Sequence, residues 1–120
     1  MTTDAKSHYQ QWPGKIAELK SHAPDIARGF GGMFQRLMCD GALTSLEKEL
    51  IALAIGMATR CEACIYAHAE KCVKLGATRE QLLDVAGVVV MMQGGPGYVY
   101  VPKLLDAMEA LGIGAEVPAG

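Results

Sequence analysis

Two cysteines, Cys61 and Cys64, followed four residues later by His68, carry the clearest chemical potential in this chain. On an α-helix, residues three and four apart share a face, so this spacing aligns all three side chains. A thiol reacts as its thiolate, and a cysteine with an ordinary pKa near about 8.5 is mostly protonated at neutral pH. Two features of the segment favour the thiolate. Cysteines in a first helical turn meet unpaired amides and the positive end of the helix dipole. A histidine one turn further on can take the proton and stay nearby as a cation. The second cysteine then captures an oxidised first one as an intramolecular disulfide. Position favours Cys61 as the attacking sulfur, while its spacing to His68 favours Cys64. We take Cys64 as the thiolate and Cys61 as its resolving partner, an order the sequence leaves open.

Glu49 is the fourth member of the constellation. On its own helix it lies within a fraction of a turn of Leu46 and Leu53, at the edge of the buried face. A carboxylate there is costly without a partner. If its helix and the cysteine helix pack as a hairpin, His68 is available, and a Glu–His–Cys chain would orient the imidazole and relay protons.

Simpler readings compete. Free cysteines often pack as small hydrophobes, which would make Cys61 and Cys64 core residues. Cys61, Cys64, His68 and Cys72 also form one helical stripe that resembles four metal ligands. Ligands on one straight helix cannot converge around an ion, so no metal ligand is assigned, and nothing calls for a cofactor. Cys72 reads as core, and Cys39 as core or surface without function. His8 and His22 read as solvated, the 7 methionines as core and interface filler, and Tyr98 and Tyr100 as aromatic packing. Gly56 reads as a point of close approach between helices.

The elements that position these residues are helical throughout. Apolar residues at Ile26, Phe30, Met33, Phe34, Leu37 and Met38 predict a helix over 23–39, ended by Asp40-Gly41. Thr44 and Glu47 form a capping box that opens the Glu49 helix, which ends near Thr59-Arg60. The cysteine helix begins around Cys61 and closes at Gly76. Thr78 and Gln81 form a second capping box, and Gly94-Gly95-Pro96-Gly97 breaks the helix it starts. A last helix is predicted over 98–111, ended by Gly112. The part before Pro24 is predicted partly helical, with an interruption near Pro13-Gly14. The expectation is an all-α single domain over 1–120, a bundle of about six helices.

Composition narrows the function classes. The 120 residues are 51% hydrophobic, enough for a core. Lys plus Arg number 11 against 13 for Asp plus Glu, and the formal net charge of -2 argues against a nucleic-acid partner. The first twelve residues are polar and the longest apolar runs, 50–58 and 85–92, are too short to span a bilayer, so no membrane partner and a cytoplasmic location are expected. There, a close cysteine pair is more often catalytic or metal-binding than a structural staple. Val88, Val89, Val90, Met91 and Met92 are consecutive, and no single helix face holds them, so a homo-oligomer is expected.

Glu49, Cys61-x-x-Cys64 and His68 in an all-α chain resemble the AhpD-like, or carboxymuconolactone decarboxylase, superfamily, over roughly 30–111. The resemblance implies an all-helical fold, trimers or hexamers, and reduction of hydroperoxides or disulfides through the cysteine pair. In two-motif relatives, electrons arrive from a lipoylated protein or a partner peroxidase. This chain is about half their length, as in a single-motif branch. Where alkylhydroperoxidase relatives carry a second histidine between the cysteines, this chain has Ala63, which removes one proton acceptor. The lactone decarboxylases work without the cysteine pair. The leading expectation is therefore a thiol–disulfide oxidoreductase with Cys61, Cys64, His68 and Glu49 as its site, taking a hydroperoxide or disulfide and electrons from a lipoylated or thiol protein. Two alternatives stand beside it: a decarboxylase-like acid–base enzyme on a small organic substrate, and a non-catalytic redox-sensing oligomer.

Overall fold

The computed structural model describes residues 4–114, and among them every regular element is helical. The ends of the 1–120 domain expectation lie outside the described residues. The helices are α1 (Ala5–His22), α2 (Pro24–Met38), α3 (Ser45–Ala58), α4 (Glu62–Lys74), α5 (Arg79–Gln93), the single turn α6 (Gly95–Tyr98) and α7 (Val101–Ala110).

The local signals that start and stop these helices act as expected. Thr44 Oγ1 accepts from the Glu47 amide at 3.0 Å, and Glu47 accepts from the Thr44 amide at 2.8 Å, opening α3. Thr78 and Gln81 repeat the pattern at α5, at 3.1 and 2.8 Å. Each satisfies two amides that the first helical turn leaves without partners. Beyond α4, Gly76 takes a φ of +95°, a left-handed conformation that glycine adopts without strain.

Two expectations are corrected. First, α1 runs without interruption through Pro13 and Gly14. Proline removes one amide and crowds the carbonyl four residues back. Here Pro13 itself lies on an exposed stretch. The helix is held elsewhere: the Asp4 side chain caps it, the Ala5 amide donates to Asp106 at 2.8 Å, and Tyr9 Oη donates to the Tyr66 carbonyl at 2.6 Å. Second, the last helix does not begin at Tyr98. A single turn, α6, comes first, and α7 restarts with Pro102 in its opening turn. A continuous helix would drive the Pro102 ring into the Tyr98 carbonyl, whereas proline fits a first turn, where no amide is needed.

The packing centres on α3 against α4, with α5 on α3 and α7 on α4. Leu53, Met57, Ile65, Leu82, Leu104 and Met108 are fully or almost fully buried between them. The hairpin of α1 and α2 lies at the edge, and no α2 residue is fully buried.

Candidate functional site

The site is built where α3 turns into α4. Thr59 caps α3, and Arg60 takes a φ of +57°, the one non-glycine residue at positive φ among the described residues. This left-handed step reverses the chain so that the Cys61 amide donates to the Gly56 carbonyl at 3.0 Å. Cys61 is the N-cap of α4 rather than part of its first turn, and its Sγ accepts from the Cys64 amide at 3.2 Å. Cys61 and Cys64 are joined as a disulfide, with 5.2 Å between their Cα atoms. Both residues are half-buried.

The predicted acid–base pair joins the same two helices. Glu49 is only 3% exposed, and its Oε1 accepts from His68 Nδ1 at 2.6 Å. With the carboxylate as acceptor, this contact orients the imidazole through Nδ1 and leaves Nε2 outside the pair. The hairpin of α3 and α4 thus holds two pairs, Cys61 with Cys64 and Glu49 with His68, and His68 follows Cys64 by one turn on α4.

Gly56 sets the distance between the two helices. A Cβ built on it would lie 3.0 Å from the Cys64 Cβ and 3.4 Å from its carbonyl carbon, closer than carbon atoms normally approach. Two further residues fix this corner, and sequence reasoning missed both. Gln93 Nε2 donates to the Ala58 carbonyl at 3.0 Å, tying the end of α5 to the end of α3. Lys103 pairs with Glu62 at 3.4 Å, tying α7 to the first turn of α4. Gln93 was visible as an amide closing an apolar run, but its partner is remote in sequence.

The remaining cysteines stand apart. Cys72 is fully buried, and burial, then the charge of Glu49, pushes its thiol up to about 12, leaving it neutral at physiological pH. Cys39 is exposed. His22 is exposed as expected, but His8 is not solvated. It stacks on Trp12 with 5.0 Å between centroids and meets Tyr66 at 5.1 Å, and burial lowers its pKa. Tyr98 is exposed, while Tyr100 packs partly against the core.

The chain is thus a small all-α bundle with a Cys-x-x-Cys disulfide at a helix start and a buried glutamate bonded to a half-buried histidine. The carboxymuconolactone decarboxylase family model matches residues 24–111, and the chain belongs to that family. It is 34% identical over 111 residues to an uncharacterised protein of Cupriavidus necator, covering 92% of this chain and 98% of the relative. A carboxymuconolactone decarboxylase family protein of Legionella pneumophila has a similar structure, with a TM-score of 0.81 at 39% identity, covering 89% of this chain and 96% of that one. A family member from Thermotoga maritima, suggested to take part in an antioxidative response, shares the fold with a TM-score of 0.74 at 21% identity, over 86% and 88% of the two chains. No helix among the described residues is long and apolar enough to cross a membrane.

Proposed function

We propose that this protein is a thiol–disulfide oxidoreductase of the alkylhydroperoxidase kind, with Cys61 and Cys64 as its redox pair. The observation that carries this reading is a disulfide at the start of α4 backed by the Glu49–His68 hydrogen bond. In the reduced protein the Cys64 thiolate attacks the distal oxygen of a hydroperoxide, breaking the O–O bond. Cys64 becomes a sulfenic acid, and the alkoxide takes a proton and leaves as the alcohol. The Cys61 thiolate then attacks the Cys64 sulfur, forming the disulfide and releasing water once a proton is supplied. Two electrons pass from the thiols to the peroxide. The Cys64 amide that contacts Cys61 Sγ would stabilise that resolving thiolate, and His68, oriented by Glu49, handles the protons.

A disulfide substrate is reduced through the same pair by exchange, without the O–O step. A dithiol, carried by a thiol protein or a lipoylated protein, returns the two electrons. With Ala63 between the cysteines and no second histidine there, disulfide exchange is the faster of the two reactions. Copies of the chain associate through their uncovered apolar helix faces.

The test begins with reduced protein and one equivalent of an organic hydroperoxide, followed by a thiol quench and mapping of the cysteines over time. The expected product is a Cys61–Cys64 disulfide with Cys39 and Cys72 still reduced. Oxidation by a model disulfide but not by peroxide would restrict the activity to exchange. If neither reagent oxidises the pair, the redox reading fails.

A further inference from the structure

Away from the sulfurs, a cavity of about 340 Å³ opens between α2, α3 and α4. That volume is in the range of sites that take small organic molecules, roughly 300–1,000 Å³. Phe34, Met38 and Leu75 form its apolar wall, Lys71 and Lys74 flank it, and Glu49 lines it. The α4 residues involved lie seven or more positions past Cys64, roughly 10 Å or more along the helix axis, so an occupant meets Glu49 rather than the disulfide.

Glu49 is the informative wall residue. It is 3% exposed, and His68 occupies only one of its carboxylate oxygens; the other has no hydrogen-bond donor among the described residues. The only buried side-chain atoms without a partner among the described residues are Arg79 Nε and Gln93 Oε1, so this oxygen is accessible, and Glu49 lines the cavity, where a donor can reach it. A neutral hydroxyl suits the position better than an ammonium, which would lose its hydration against an apolar wall and meet two lysines nearby. Those lysines define the other end. Lys71 Nζ lies 5.4 Å from the centroid of the Phe34 ring, over the apolar wall. Lys74 has only a loose, exposed pairing with Glu70 at 3.7 Å.

We propose that this cavity is a binding site for a small amphiphilic hydroxy acid. Its hydroxyl donates to the second oxygen of Glu49, its hydrocarbon lies on Phe34, Met38 and Leu75, and its carboxylate ends at Lys71 and Lys74. Binding requires no sulfur chemistry, although the site shares Glu49 with the Glu49–His68 pair of the redox reading.

The experiment is a titration of isotope-labelled protein with ω-hydroxyoctanoate, octanoate and the corresponding terminal diol, followed by amide chemical shifts and calorimetry. The hydroxy acid is expected to shift the amides of the cavity wall. Octanoate should bind about fivefold more weakly, the loss of one hydrogen bond. The double variant Lys71→Gln, Lys74→Gln, altered only at the rim, should weaken the hydroxy acid about threefold and leave the diol unchanged. Shifts absent at millimolar hydroxy acid would mean the cavity holds only water and would overturn the proposal. Equal binding of octanoate and hydroxyoctanoate would remove the Glu49 contact and overturn it as well, as would equal affinity of the double variant and the wild type for the hydroxy acid.

Discussion

At the scale of single residues, Gly56 governs how closely the cysteine helix approaches its neighbour. Its missing side chain admits Cys64, whose Cβ would otherwise be met at 3.0 Å by backbone-anchored carbon rather than by a flexible tip. Gly56→Ala should therefore destabilise the fold by about 1–3 kcal/mol, the cost of overpacking. It should also slow exchange at the Cys61–Cys64 disulfide by moving Cys64 relative to His68. Denaturant melts and exchange rates measured on the same samples check both effects, and a variant that only loses stability would make Gly56 a packing residue alone. His68→Ala and Glu49→Gln probe the proton pathway. Both should move the alkylation-versus-pH curve of the reactive thiol to higher pH, with the larger shift from His68→Ala. Superimposed curves would mean that neither residue activates the thiol. Cys72 gives a contrasting prediction. Its folded pKa, raised to about 12 from 9.0, means that its contribution to stability is complete below about pH 9 and is lost as pH rises from there towards 12. Native protein at pH 8 should take up alkylating reagent at the exposed Cys39 and not at Cys72. Labelling of both would show that the α3–α4 core opens easily.

At the scale of elements, Pro13 tests how α1 is held. A proline inside a helix costs about 3 kcal/mol relative to alanine, yet α1 continues through it because the Asp4 cap, the Ala5–Asp106 contact and the Tyr9–Tyr66 hydrogen bond anchor its first half. Pro13→Ala should raise the thermal midpoint and slow amide exchange around the Tyr9 turn. An unchanged midpoint would mean that the ring makes packing contacts of equal value. The same helix shows where sequence reading reaches its limit. The boxes at Thr44 and Thr78, the stop at Gly76 and the turn after Ala58 were legible because both partners of each signal sit within a few residues. Pro13 misled because a local cost was outweighed by contacts to α4 and α7, more than fifty residues away in sequence. Pro102, by contrast, carried a local signal that the 98–111 expectation passed over. The site divides along the same line. Spacing alone placed Cys61, Cys64 and His68 on one face, and Glu49 was legible as a carboxylate too near the core to lack a partner. The Gly56–Cys64 contact, the Gln93 tie and the Lys103–Glu62 pair required the helices to be packed first.

At the scale of the whole molecule, shape and exposed surface bear on the proposed association of copies. The chain extends 52 × 37 × 26 Å with a radius of gyration of 15.1 Å, against roughly 13–14 Å for a compact domain of this length. The excess goes with uncovered apolar faces. Ile26, Phe30, Met33 and Leu37 repeat at helical spacing along α2 and are 47–66% exposed, while Val88, Met91 and Met92 on α5 are 61–78% exposed. Single exposed hydrophobes are ordinary, but two faces each carrying several are not. Both families of exposed side chains recur identically on every copy, which is what the proposed association of copies would use. Methionine also fits such a seam, because its flexible thioether adapts to an opposing surface. The double variant Met91→Glu, Met92→Glu changes only exposed positions and should leave the helical content intact. Light scattering and sedimentation should find the wild type as an assembly of several chains and the variant reduced to a smaller species. If both have the same mass, the α5 face is not a seam between copies, and α2, tested in the same way with Phe30→Glu and Leu37→Glu, becomes the face to examine. If assembly is lost but thiol exchange by the variant keeps its wild-type rate, each chain holds a complete redox site and association serves stability. If exchange falls with assembly, the neighbouring copy shapes the entrance to the Cys61–Cys64 pair, since α5 ends beside α3 at the Gln93–Ala58 contact, three residues before Cys61.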